Sequence, residues 1–338
     1  MASRKDVAAL AGVSEVTVSR VFSKNGAVSE KRETAVKAAA EKLGYKPSPI
    51  AISFKSNSTK QILMLLPKQD LENSYFIALY KGAAGYAEDA GYLLAISTDM
   101  MFSRISKKMF DGIILANASF PVGELKENLR VPATVLSFGE EIFYPWLENV
   151  VVDTGQAMEM IISHLNSLGH SRIAYAMPRH TLMSGTHSAR YDRYISLLTD
   201  VFHENVHDYI FGIDPAEAKG DLINYFHYGR VAADQIYAGK PDITAVACFN
   251  DEVALGLIGR LQNLGIKVPG DISVVGIDDI LQSEYSVPSL TTVRLPAARQ
   301  GVESIRKLIN QIEGEDPAKK IELNLEIIAR ESVSPLKT

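Results

Sequence analysis

From Gln61 onward the chain repeats one pattern: a short run of apolar, often β-branched residues, then a helix-length stretch with its apolar residues on one side. The strand candidates are Ile62–Pro67, Tyr92–Ser97, Gly112–Ala116, Ala133–Phe138, Val150–Val152, Ile173–Ala176, Tyr209–Phe211, Ala245–Phe249 and Ile272–Ile277. Helical stretches lie between most of them, for instance Tyr75–Ala90, Thr154–Leu168, Ala189–Phe202, Asp221–Ala238 and Glu252–Leu264. Such alternation predicts doubly wound parallel sheets covered on both faces. The stretch is too long for one open sheet of this kind, so two α/β lobes are expected. With 338 residues, 46% hydrophobic and 22% charged, the chain has ordinary globular composition rather than that of a disordered chain or a fibre. Its longest apolar runs, such as Ile62 to Pro67, are too short to span a bilayer, and no apolar leader opens the sequence. The single cysteine, Cys248, excludes an internal disulfide framework and fits a reducing cytoplasm.

The net charge of −5 argues against a nucleic-acid partner, yet it is an average over two unlike parts. Residues 1–60 carry eight Lys and three Arg against five acids, a local balance of +6, which leaves −11 on the rest. A basic module joined to an acidic body suggests an anionic polymer on one side, although a solvated helical segment without a partner would carry the same charge.

The residue pattern suits the first reading and leaves the second open, since two short helices with a polar face are also an ordinary surface. Ser3 and Asp6 have capping-box spacing, with Val7, Leu10 and Ala11 on one face of a helix that Gly12 stops. Ser14 then caps a second helix running to about Phe22, the layout of a helix-turn-helix. On that helix Thr17, Val18, Val21 and Phe22 gather on one side, while Glu15, Val16, Ser19, Arg20 and Ser23 face the other. Arg20 can present a fork to guanine, Glu15 can accept from a cytosine amino group, and Val16 can touch a thymine methyl. Ser14, Thr17 and Ser19 suit phosphate oxygens near a helix N-terminus. Ser29 is expected to cap a third helix, Glu30 to Leu43, which ends at Gly44.

In the body, ligands of parallel sheets sit past the carboxyl ends of the strands. Asn250 and Asp251 follow one strand candidate, Asp278 and Asp279 another, and Arg190 stands at a helix start. A carboxylate, a guanidinium and a carboxamide meeting in one cleft can hold several vicinal hydroxyls, which suits a sugar or similar polyol; the same residues also suit helix caps. Tyr75, Phe76, Phe249 and Trp146 can supply a stacking face, or simply pack.

These residues carry a resemblance. Asp6-Val-Ala-Ala-Leu-Ala-Gly-Val-Ser14, Thr17-Val-Ser-Arg-Val21, Val28-Ser29 and Leu43-Gly-Tyr-Lys-Pro47 resemble the headpiece of the LacI/GalR family of bacterial transcription regulators. Leu168-Gly-His-Ser-Arg-Ile173, Asn250 to Gly256, Val268 to Asp279, Leu290-Thr-Thr-Val293 and Arg330-Glu-Ser332 are similar to its effector domain, which has the two-lobed periplasmic-binding-protein fold. The resemblance implies a headpiece at residues 1–46, a hinge helix and linker at 47–60, and an effector-binding and dimerisation domain at 61–338. Its first lobe would hold about 61–169 and 290–312, its second about 170–289 and 313–332. It further implies Glu15, Val16 and Arg20 in the major groove, phosphate contacts from Ser14, Thr17, Ser19 and Ser23, and Ile50, Ala51 and Phe54 in the minor groove. Arg190, Asn250, Asp278, Phe249 and Tyr75 would bind the effector.

The implied function is a cytoplasmic repressor of carbohydrate-utilisation genes. It would act as a homodimer on a near-palindromic operator, under allosteric control by a sugar-like effector and without a cofactor. There are departures from the family pattern. Ser23 replaces a usual asparagine, Phe54 a wedge leucine, Ile52 a common arginine, and Arg193, followed by Tyr194, a glycine whose loss predicts a narrower or more basic cleft. The stretch between Thr98 and Asp111 is short, which predicts one helix of the first lobe reduced to a turn. No heptad run follows Ser332, so a tetramer built by a terminal coiled coil is not expected.

Other functional classes find little support. His203 and His207 lack a third metal ligand nearby, Gly256 and Gly259 lie within a helix, and no G-x-S-x-G elbow occurs, so an enzyme is not expected. A sugar carrier for transport would have no use for the basic module.

Overall fold

The structure is a computed structural model that describes residues 2–23, 28–45, 58–98, 109–116, 131–139, 147–178, 188–199, 206–213, 225–239, 242–315 and 323–336. Three helices open the chain: α1 (Arg4–Ala11), α2 (Glu15–Ser23) and α3 (Glu30–Lys42). Ser3 and Asp6 form a reciprocal capping box on α1, and Gly12 closes it at a left-handed φ of 65°, a conformation that costs glycine little. Val7, Ala8, Val18, Val21, Val36, Ala39 and Ala40 bury one another in a small core of their own. Phe22 and Tyr45 extend it, edge to face at 6.0 Å between ring centres. Ser29 precedes α3 without a side-chain bond to the helix, unlike the other serine caps.

Among the described residues the body forms two sheets. The first, in the order β2-β1-β3-β4-β5, is built from β1 (Gln61–Leu65), β2 (Leu93–Ser97), β3 (Gly112–Leu115), β4 (Ala133–Phe138) and β5 (Leu147–Val152), all parallel. Helices α4 (Ser74–Asp89) and α10 (Ala297–Glu313) pack on it. Strand β1 shows why it reads as a continuous apolar run: Ile62 and Met64 enter the main core, while Leu63 and Leu65 enter a separate cluster on the other face.

The second sheet runs β11-β10-β9-β8-β6-β7. Its strands are β6 (Ile173–Ala176), β7 (Ile210–Phe211), β8 (Ala245–Cys248), β9 (Ser273–Asp278), β10 (Thr291–Arg294) and β11 (Glu326–Ile328), of which only β11 is antiparallel to its neighbour. Helices α5 (Thr154–Ser167), α6 (Ala189–Leu198), α7 (Tyr225–Gly239), α8 (Asp251–Asn263) and the short α9 (Leu281–Tyr285) complete this lobe. Among the described residues no helix is long and apolar enough to cross a membrane.

The lobe boundaries differ from the sequence-based ones. Helix α5 buries Ala157, Met158, Ile161, Ile162 and Leu165 and packs with α6, β8 and β10, so the chain changes lobe at Asp153 rather than near residue 169. It returns after β10, near Leu295, rather than at residue 290. Amphipathic spacing says that a helix covers a sheet, not which sheet. The hinge residues Ile50, Ala51, Ile52 and Phe54, the side chain of Ser23, and the stretch 99–108 lie outside the described residues. So do His203 and Trp146, while the ring of His207 bonds through Nδ1 to the Tyr191 hydroxyl at 3.1 Å.

Candidate functional site

Two sites emerge, one on α2 and one between the lobes. On α2, Val18 and Val21 are buried, and the opposite side presents Val16, 56% exposed, and the exposed Arg20. Glu15 pairs with Arg4 of α1 at 3.1 Å, an exposed contact of small energetic weight that any base contact must replace. Ser14 caps α2 by accepting from the Thr17 N–H at 3.2 Å, and the two hydroxyls lie 2.9 Å apart. Ser19 is half-buried.

Between the lobes lies a cavity of about 190 Å³ lined by Asp70, Asn73, Tyr75, Phe76, Phe138, Thr154, Ser188, Arg190, Tyr225, Phe249 and Asp278. Four of the five sequence-derived candidates meet there. The exception is Asn250, whose side-chain oxygen accepts the Val253 N–H at 2.9 Å and caps α8, the alternative its position had left open. Arg193 does not narrow the cavity: it reaches Glu159 of α5 at 3.3 Å, and Tyr194 is buried with its hydroxyl on the Ile173 carbonyl.

The wall from the second lobe is a stack. The Arg190 guanidinium lies 4.5 Å over the Phe249 ring and donates through Nη1 to the Phe249 carbonyl, while the other neighbour of Phe249, Tyr225, lies nearly parallel to it at 6.0 Å and 7°. The wall from the first lobe is an edge-to-face cluster of Tyr75, Phe76 and Phe138. Tyr75 is fixed from behind, its hydroxyl donating to Gln300 of α10 at 2.6 Å.

Asp278 closes the polar end. Burial holds its carboxyl well above the usual carboxylate range; the Arg190 guanidinium pulls it down, and the nearby Asp251 and Glu252 push it further up. In protonated form it offers a donor and an acceptor together. Asp278 and Asp279 both have left-handed backbone, φ 119° and 57°, which is costly for residues with a Cβ. Arg294, Arg330 and Asp251 bond to this segment. The carboxylate of Asp279 accepts from Arg294 at 2.7 Å and Arg330 at 2.6 Å. Beneath them Asp251 accepts from Thr292 Oγ1 (2.6 Å), Ser283 Oγ (2.7 Å) and the Ile280 N–H (3.0 Å). Glu252 of the second lobe accepts the Ser74 N–H of the first at 3.3 Å.

Asp70, Asn73, Phe138, Thr154, Ser188 and Tyr225 were not among the sequence-derived candidates. Asp70, Asn73, Phe138 and Thr154 follow or end strands β1, β4 and β5, so the strand-end rule applied to every strand finds them. Ser188 is the cap of α6, accepting the Tyr191 N–H at 3.2 Å. Tyr225 opens α7 and carries no comparable signal.

A three-helix module with an exposed helix face, followed by two parallel-sheet lobes around a polar and aromatic cavity, is the architecture of a helix-turn-helix module joined to a two-lobed binding domain. The comparisons with known proteins agree. The pattern described as bacterial regulatory proteins, lacI family, matches residues 4–48, and that of a periplasmic binding protein-like domain matches residues 162–333. The chain is 32% identical to the HTH-type transcriptional repressor PurR of Vibrio atlanticus, across 99% of this chain and all of that one. Among solved structures it is similar to a lac repressor dimer bound to operator, at TM-score 0.79, 22% identity and coverage of 98% and 99%. A LacI family regulator of Enterococcus faecium with bound ribose matches at TM-score 0.68 and 25% identity, over 82% of this chain and all of that one. The protein belongs to the lacI family of bacterial regulatory proteins.

Proposed function

We propose that the protein is a cytoplasmic transcriptional repressor that binds a near-palindromic operator as a homodimer and answers to a small polar effector held between its lobes. The observation that carries this reading is the convergence of Arg190, Asp278, Phe249 and Tyr75 on one cavity, in a chain that also presents Val16 and Arg20 on an exposed helix. Homodimerisation is supported by an apolar patch, Leu281, Tyr285 and Val287, exposed by 72%, 73% and 82%. The two-fold symmetry of such a dimer would pair two headpieces on two half-sites. Glu15, Val16 and Arg20 would read bases, and Ser14, Thr17, Ser19 and Ser23 would hold phosphates. Asn250 would act at the cavity only indirectly, through the helix it caps.

The volume suits an effector of roughly one ring, since pockets for drug-sized ligands start at about 300 Å³. A monosaccharide or its derivative fits the pairing of Arg190 with Asp278, and regulation of carbohydrate genes would follow. Five aromatic side chains among the lining residues favour a second reading, a planar heterocycle stacked between the walls.

Two measurements test the proposal. Affinity for a selected duplex should fall steeply with salt as phosphate contacts release counterions, and absent or salt-independent binding refutes the repressor reading. A thermal-shift panel of pentoses, hexoses and nucleobases should contain a compound that raises the melting temperature, because a ligand of the folded state stabilises it. If only heterocycles do so, the carbohydrate reading falls.

A further inference from the structure

Where the chain from the headpiece joins the first lobe, one side chain gathers several hydrogen bonds. Asp111, just before β3, accepts four hydrogen bonds from three consecutive residues. Its Oδ1 takes the Thr59 N–H at 2.7 Å and the Thr59 hydroxyl at 2.8 Å, and its Oδ2 takes the Ser58 hydroxyl at 2.5 Å and the Lys60 N–H at 2.9 Å. The backbone amides of Thr59 and Lys60 meet the same carboxylate, the way consecutive backbone amides bind an anion, and Lys60 itself has a left-handed φ of 51°.

Neighbouring contacts fix the segment on its other sides. The Lys60 carbonyl accepts the Leu93 N–H at 2.9 Å, and the Asp111 N–H donates to the Gln61 carbonyl at 2.8 Å. The Lys60 ammonium lies 4.0 Å over the Tyr92 ring and 4.0 Å from Glu313 at the end of α10.

We propose that Asp111 is the positioning residue that sets where and in which direction the DNA-reading module leaves the core, and so the spacing of operator half-sites that a dimer accepts. The proposal rests on the operator-binding reading above. A charged acceptor with four donors is a strong anchor, because hydrogen bonds to an ionised group exceed neutral ones. Joined headpieces gain affinity only when geometry lets both engage, so loosening the exit point widens the range of tolerated spacings.

The test uses the full chain and duplexes that it selects from a random library, remade with two base pairs inserted at the centre, which turns one half-site by roughly 70°. The wild type should bind the spaced duplex at least tenfold more weakly. For Asp111→Ala the loss should be under threefold, with unchanged affinity for an isolated half-site. Lys60→Gly keeps the backbone amides and accepts the left-handed φ, so it should keep the wild-type penalty.

Trypsin should cut after Lys60 at least tenfold faster in Asp111→Ala than in the wild type, as mapped by mass spectrometry. Equal spacing penalties or equal cleavage rates in the two proteins overturn the proposal. Should Asp111→Ala fail to fold, Asp111→Asn, which keeps the shape and loses the charge, is judged by the same two criteria. If the wild type selects no duplex, the operator-binding reading fails, and the cleavage comparison still decides the clamp.

Discussion

The second lobe should gain stability on acidification from pH 8 to pH 5, and Asp251→Asn should remove most of that gain. Asp251 is fully buried at the start of α8. Burial pushes its carboxyl up to about 7 from an ordinary 3.8, against the hydrogen bonds from Thr292, Ser283 and the Ile280 N–H that pull it down, while the charge of Asp279 adds to the rise. In the unfolded chain the group ionises near its ordinary value. Between the two values the folded state holds a proton that the unfolded state has lost. Stability therefore rises as pH falls through that window, by about 1.4 kcal/mol per unit, and the contribution is gone above about pH 7. From pH 8 to pH 5 the change is roughly 3 kcal/mol.

Asn cannot ionise, so its own contribution does not vary with pH. The cost of the substitution should then be larger at pH 5 than at pH 8 by about that same 3 kcal/mol. Glu252 and Asp278 are also raised by burial and steepen the response of both proteins, which is why the difference between them is the informative quantity. Urea unfolding followed by circular dichroism at four pH values measures it. A gap between wild type and Asp251→Asn that stays constant across the range refutes the reasoning.

Arg20→Ala should cost roughly 1–3 kcal/mol of operator affinity and relax preference at one base pair, read by competition with single-base variants of a selected duplex. Asp278→Asn should abolish the thermal shift given by whichever compound stabilises the wild type while leaving operator affinity intact; loss of operator binding would assign it a structural role instead. Gly301→Ala would place a Cβ 2.1 Å from the Leu79 carbonyl oxygen where α10 crosses α4, and should lower stability by about 1–3 kcal/mol, seen as a reduced melting temperature.

Much of the fold was legible because each element carried its own signal. Strand β1 is apolar on both faces, α5 buries residues at helical spacing, and Ser3, Asp6 and Gly12 mark both ends of α1. Strand β10 lacked such a signal: Thr291 and Thr292 are fully buried only because Thr292 meets Asp251 and the Thr291 hydroxyl accepts the Arg330 N–H, contacts between residues far apart in the chain. The same limit applied at the cavity. Strand-end position drew attention to Asp278 and Phe249, but it could not separate Asn250, whose oxygen is taken by a helix cap, from residues that face the ligand space. Tyr225 reached the cavity by stacking on Phe249, a relation between two elements that no local pattern encodes.

The first lobe also suggests how the two sites could communicate. Helix α4 begins at the cavity with Tyr75 and leads to Tyr92 beneath the Lys60 ammonium; α10 begins near Gln300, which holds the Tyr75 hydroxyl, and ends at Glu313 beside the same lysine. Each helix spans roughly 25 Å at about 1.5 Å per residue. At Gly82 and Gly301 the two backbones approach so closely that an added Cβ would lie 2.0 and 2.1 Å from the facing carbonyl oxygens. No side chain cushions those crossings, so if the pair shifted as one body, a tilt at Tyr75 would reach Lys60 and the Asp111 clamp. An effector that favours one setting of Tyr75 would then bias the exit direction of the headpiece. By linkage, operator held in that direction must change effector affinity by the same factor.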